Sequence, residues 1–88
     1  MIEKTVTIIN RAGIHARPAS LIVESTIGFK SSIHFEQGAN KINAKSILGI
    51  ITLGAPYKSQ IKITAEGPDE QEVIDRLTQL FESKFEED

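Results

Sequence analysis

Residues 2–9, Ile-Glu-Lys-Thr-Val-Thr-Ile-Ile, alternate in character along the chain. Val6 and Ile8 fall on one side and Thr5 and Thr7 on the other, which predicts a half-buried first strand. From about Ala16 to Ile27 the period changes. Ala19, Ile22, Val23 and Thr26 recur at i, i+3, i+4 and i+7, the stripe of one helix face, while Ser20, Glu24 and Ser25 take the other side. Gly28 is the expected stop. Alternation returns from Ser32 to Glu36, with Ile33 and Phe35 on one face and Ser32, His34 and Glu36 on the solvent face. Gln37-Gly38-Ala39-Asn40 is a turn, and Lys41–Asn43 closes it as a short hairpin strand. A second helix is predicted from Ile47 to about Leu53, with Ser46 as its N-cap. Gln60 to Ala65 is the clearest strand, with Ile61, Ile63 and Ala65 facing in and Gln60, Lys62 and Thr64 facing out. Glu66-Gly67-Pro68 breaks it. Asp69 followed by Glu72 is an Asp-x-x-Glu capping pattern, and Val73, Leu77, Leu80 and Phe81 make the stripe of a last helix.

The element order is therefore β-α-β-β-α-β-α. Four strands, each with one polar and one apolar face, predict an α+β fold. It is an open-faced β-sandwich: a four-stranded antiparallel sheet with three helices on one face. The 88 residues make a single domain, 1–88.

Charge refines this picture. Residues 1–65 carry eight Lys or Arg and three Asp or Glu, a balance of +5; residues 66–88 carry two and nine, a balance of −7. The acidic end argues against general nucleic-acid binding, which favours a basic domain. The outer sheet face also offers no pair of aromatics for base stacking. The basic side suits an acidic protein surface or phosphate. Glu86, Glu87 and Asp88 read as a frayed tail. There is no cysteine, so no disulfide and no thiolate metal site is expected, which fits a cytoplasmic location. No apolar run approaches the roughly 20 residues that span a bilayer, and the N-terminus alternates rather than reading as a signal peptide.

Two stretches carry candidate chemistry. In Gly13-Ile14-His15-Ala16-Arg17-Pro18-Ala19-Ser20, a histidine stands at a helix start, where backbone N–H groups lack intrahelical partners and favour an anion. An imidazole, amides and a guanidinium within three residues suit a phosphoryl group carried on His15. The same pattern also describes a solvated helix cap, and His-x-Arg alone does not separate the two. In Ile47-Leu48-Gly49-Ile50-Ile51, apolar residues occupy more than one side of a short helix. Either part of the run is exposed for a partner or the helix is lodged in the core.

Gly13-Ile14-His15-Ala16-Arg17-Pro18-Ala19 resembles the active-site signature of HPr, the histidine-containing phosphocarrier family of the bacterial phosphotransferase system. Lys45-Ser46-Ile47-Leu48-Gly49-Ile50 is similar to that family's regulatory serine region, at the matching distance. Ala65-Glu66-Gly67-Pro68-Asp69-Glu70 is similar to its last strand-to-helix junction. The resemblance implies a carrier, itself the substrate of enzyme I rather than an enzyme. His15 would accept a phosphoryl group on Nδ1 from phosphorylated enzyme I and pass it to the A domain of a sugar-specific enzyme II. Arg17 and Ala16 would hold the phosphate. Ser46 would be the target of HPr kinase/phosphorylase, and Ile47, Leu48 and Ile51 the apolar partner-binding patch. The family often has methionine in this patch, where the present chain has Leu48 and Ile51. The resemblance implies no cofactor, no metal and no membrane or nucleic-acid partner, and a monomer. The alternative it leaves is a mainly regulatory protein acting through Ser46 phosphorylation and protein binding.

Overall fold

The computed structural model describes residues 1–86. In chain order the elements are β1 (Ile2–Thr7), α1 (Ala16–Thr26), β2 (Ser32–Gln37), β3 (Asn40–Asn43), α2 (Ile47–Leu53), β4 (Gln60–Glu66) and α3 (Glu70–Glu82), followed by a 3-10 turn at Lys84–Glu86. The strands form one sheet in the order β1-β4-β2-β3, with every neighbouring pair antiparallel. The predicted α+β open-faced sandwich is the observed architecture.

Strand register explains the two faces. Val6 stands opposite Ile61, Ile33 opposite Ala65 and Phe35 opposite Ile63, so one face is continuously apolar. The three helices cover it with Ala19 and Ile22 from α1, Ile50 and Leu53 from α2, and Val73, Leu77, Leu80 and Phe81 from α3. Each such side chain removed from water is worth roughly 1.5–3 kcal/mol. Phe81 is the hub of the aromatic core, with its ring edge-on to Phe35 at 5.9 Å and to Phe85 at 4.7 Å. Phe85 is fully buried, an anchor beyond the predicted stripe. The other face carries cross-strand polar rows. Glu3, Thr64, His34 and Asn43 line up in one, and Thr5, Lys62, Glu36 and Lys41 in the next. Lys62 Nζ lies 3.8 Å from both Glu3 and Glu36. His34 is half-buried on this face.

The structure departs from the sequence reading at four junctions. β1 stops at Thr7, two residues early. Ile8 N donates to Ser59 O at 2.9 Å, but Ile8 O accepts from Lys58 N at 2.8 Å, so two residues oppose one. That is a bulge, and Lys58 takes the positive φ of 73° it requires. β3 begins at Asn40, leaving a two-residue turn. Gly28 does not take a positive φ. α1 closes instead through Thr26, whose hydroxyl donates toward Val23 O and Ala44 O, each at 3.2 Å. Asp69 occupies the N-cap of α3, but its carboxylate caps nothing in that helix. It accepts from Lys30 N at 2.8 Å and Ser31 N at 3.0 Å, and closely from Ser31 Oγ. The side chain that reaches back over the junction is Glu70, accepting from Gly67 N at 3.0 Å. Of the predicted tail, Glu86 closes the 3-10 turn, and Glu87 and Asp88 lie outside the described residues.

Candidate functional site

The loop between β1 and α1 is fixed before the histidine is reached. Gly13 N donates to Asn10 O at 3.1 Å, and the buried Asn10 Nδ2 donates to Gly13 O at 2.7 Å. Gly13 has φ +71°, and a Cβ there would meet Ala55 O at 2.9 Å and Pro56 Cα at 3.2 Å. Only glycine permits both the dihedral and the approach. Ile14 then buries its side chain and donates its N–H to Ala55 O at 2.9 Å. The turn Asn10–Gly13 is thereby stitched to the loop that follows α2.

This anchoring delivers His15 to the N-cap of α1 with an extended backbone, φ −126° and ψ −161°. Its carbonyl starts the helix by accepting from Ala19 N at 3.0 Å. Its imidazole makes no capping bond to the helix. His15, Ala16 and Arg17 are all exposed, whereas Pro18 and Ala19 turn into the core. Proline at the third helical position has no N–H to satisfy, so the first-turn amides without an intrahelical acceptor are those of Ala16 and Arg17. The first turn holds no acid. Exposed Arg11, Arg17 and Lys58 put positive charge on the loops and first turn that frame His15. The helix dipole adds to that field. Such an arrangement can hold a dianion on the imidazole without enclosing it.

Ser46 is the N-cap of α2, and its hydroxyl accepts from Gly49 N at 3.0 Å. Lys45 beside it reaches back and donates from Nζ to Phe29 O at 2.7 Å, tying the start of α2 to the segment after α1. α2 splits its apolar residues. Ile50 and Leu53 are buried, while Ile47 and Ile51 are each 43 % exposed and Leu48 is 75 % exposed. Of the two readings of this run, the exposed patch is realised on one side of the helix and the core contact on the other. The C-terminal end of α2 leads directly to Ala55, which holds Ile14, so the helix that carries the patch is tied to the histidine loop. Ser46 stands at the opposite end of α2, about 10 Å away along the helix axis.

The sequence reading did not single out Asn10, Ala55 or Pro56, the residues that set the histidine loop. Asn10 followed by Gly13 is a recognisable turn signal. The partnership with Ala55 is long-range and leaves no local trace. Among the described residues no group of three His, Cys, Asp or Glu is placed to hold a metal ion, and no helix is long and apolar enough to cross a membrane.

A family model described as the PTS HPr component phosphorylation site matches residues 2–83. The phosphocarrier protein HPr of Treponema pallidum is 43% identical over 88 residues, covering 100% of both chains. The phosphocarrier protein HPr of Cupriavidus necator is 34% identical, covering 97% of this chain and 96% of its own. Among solved structures, HPr from Thermoanaerobacter tengcongensis superposes with a TM-score of 0.95 at 48% identity, over 100% of this chain and 99% of that one. Taken with the fold and with a histidine presented at a helix start, these matches establish that the chain belongs to the HPr family, the phosphocarriers of the phosphotransferase system.

Proposed function

We propose that His15 is the phosphoryl carrier of this chain, charged by phosphorylated enzyme I and discharged to the A domain of a sugar-specific enzyme II. The observation that carries this reading is the exposed histidine at the N-cap of α1, on a loop held rigid from both sides. In the first transfer the imidazole nitrogen bonds to phosphorus as the bond from phosphorus to enzyme I breaks; in the second, His15 is the leaving group. Neither step needs covalent help from other residues of the carrier, because phosphoryl transfer depends on positioning and charge stabilisation. The amides of Ala16 and Arg17 and the Arg17 guanidinium supply the charge stabilisation on this side. The partner supplies the rest. Exposure is therefore a requirement, since one histidine must enter two different active sites.

Ile47, Leu48 and Ile51 are assigned to docking these partners, and Ser46 at their edge to regulation by HPr kinase/phosphorylase. The test is incubation with enzyme I and labelled phosphoenolpyruvate. The wild type takes up label that is acid-labile and alkali-stable, as a phosphoramidate is. His15→Ala keeps its circular dichroism and takes up none. Acid-stable label, or label retained by His15→Ala, overturns the assignment.

A further inference from the structure

The sheet has two open edges, and they differ. β3 is four residues long and carries Lys41. β1 is longer; Glu3 and Lys4 lie at its start, but from Thr5 through Ile9 the chain has no charge, proline or glycine. Those are the devices by which edge strands are normally blunted. Threonine, valine and isoleucine are also the residues that favour strands.

Register tells which backbone groups this edge presents. Ile8 N donates to Ser59 O, and the pairing runs in step through Val6 opposite Ile61 and Lys4 opposite Ile63. In an antiparallel ladder alternate residues bond inward. Lys4, Val6 and Ile8 therefore spend their N–H and C=O groups on β4, and Glu3, Thr5 and Thr7 turn theirs away from the sheet. At the start of the strand the Met1 amino group lies 3.1 Å from Glu70, which ties β1 to α3.

Beside this edge runs a groove of about 270 Å³ between β1 and α3. Its apolar lining comes from Val6, Phe81 and Ile9, the last of which is 39 % exposed. Thr78 of α3 lines it too, and its buried hydroxyl has no hydrogen-bond partner among the described residues. The groove opens into a second hollow along α3, where Glu72, Asp75 and Glu82 outnumber Lys4 and Arg76.

We propose that the β1–α3 edge is a second docking surface, which takes an extended, lysine- or arginine-bearing segment of a partner protein by strand addition. The segment hydrogen-bonds to the outward groups of Thr5 and Thr7. Residues two apart on it share a face. An apolar side chain then enters the groove against Phe81, and a basic one two positions away meets Glu82 or Asp75. Charge selects this occupant over a second copy of the chain. Two β1 edges paired antiparallel would set one acidic α3 flank against another.

The probe is a capped ten-residue peptide of repeating Val-Thr-Lys-Thr, which sets valine and lysine two apart on one face, titrated into the 15N-labelled protein. Expected are saturable amide shifts at Thr5, Thr7 and Thr78, with slowed hydrogen exchange at Thr5 and Thr7 and no shift at Leu48. The same peptide with glutamate in place of lysine binds at least about ten-fold more weakly, and so does the lysine peptide to Glu82→Lys. Thr5→Pro removes only an outward N–H, so the fold survives and the binding is lost. If that variant does not fold, Asp75→Lys and Glu82→Lys decide the matter. No saturable shift up to millimolar peptide, equal binding of the two peptides, or binding undiminished in Glu82→Lys overturns the proposal. So does a shift at Thr5 and Thr7 that follows protein concentration alone, which would name a second copy as the occupant.

Discussion

Asp69 shows how one carboxylate can be diverted from the role its position suggests. It stands at a helix start, yet its two oxygens accept from Lys30 N, Ser31 N and Ser31 Oγ, clamping the entry of β2 to the end of β4. The Ser31 hydroxyl, then the Lys30 amide, hold its carboxyl below the usual aspartate range. Glu70 next to it is lowered by the Gly67 amide and then by the chain's amino group. A carboxyl whose pKa is lower folded than unfolded contributes stability above its unfolded value, near 3.9 for aspartate, and loses it as pH falls through the folded value. Asp69→Asn should therefore lower the thermal midpoint at pH 6–7, and the gap to wild type should close as pH drops below about 4. Thermal melts from pH 7 to pH 2 check this, and a gap constant with pH would mean that the asparagine loses packing rather than charge. Arg17 is a residue-scale question of another kind. A guanidinium offers several fixed donors to a phosphate and an ammonium only a point charge. Arg17→Ala should keep the fold and slow phosphoryl transfer from enzyme I by more than Arg17→Lys does. Stopped-flow rates equal to wild type for both variants would leave Arg17 a solvated helix residue.

Among the elements, β1, β2, β4, α1 and α3 were legible from hydrophobic period, because each buries one face against the same core, whereas β3 was read from the turn before it and α2 from its cap and apolar run. The N-cap of α2 was legible too, since Ser46 bonds Gly49 within its own turn. What the sequence hid were junctions whose partners lie far along the chain. The bulge at Lys58 depends on Ile8, the clamp at Asp69 on Ser31, and the approach of Gly13 on Ala55. For the candidate site, His15 at a helix start was readable, while the Asn10 and Ala55 contacts that hold it there were not. Gly67 illustrates the cost of such junctions. Its φ is +152°, and an added Cβ would meet Ser31 Cα at 2.6 Å, a backbone atom that cannot give way. Strain and overpacking act together, so Gly67→Ala should cost about 3 kcal/mol. Gly13→Ala, blocked by Ala55 O at 2.9 Å, should cost about 2 kcal/mol and also move the His15 loop. Urea unfolding measures both, and a change below about 0.5 kcal/mol in Gly67→Ala would contradict the packing described.

On the scale of the whole molecule, the fold separates a basic helix-end face bearing His15 from an acidic flank along α3, and it places Ser46 where charge can be added without harm to folding. A phosphoryl group brings about −1.5 to −2 charges. At the N-terminus of α2 the helix dipole favours that charge, and aspartate is itself a good N-cap. Ser46→Asp should therefore keep a thermal midpoint close to wild type. The effect should fall on docking instead. Ile47 and Leu48 follow Ser46 directly and are exposed, so a partner that covers them must desolvate the new charge or face it with its own acids. Phosphorylation of His15 by enzyme I should be slower in Ser46→Asp at low salt. The difference should shrink at high salt, because exposed charges are screened over roughly 8 Å at physiological ionic strength and over less as salt is added. Ser46→Ala separates capping from charge: it loses the bond from Gly49 and should cost about 1 kcal/mol of stability while docking normally. Enzyme I-dependent rates for the three proteins at two salt concentrations decide between regulation and capping, and equal rates at low salt for Ser46→Asp and wild type would reduce Ser46 to a helix cap.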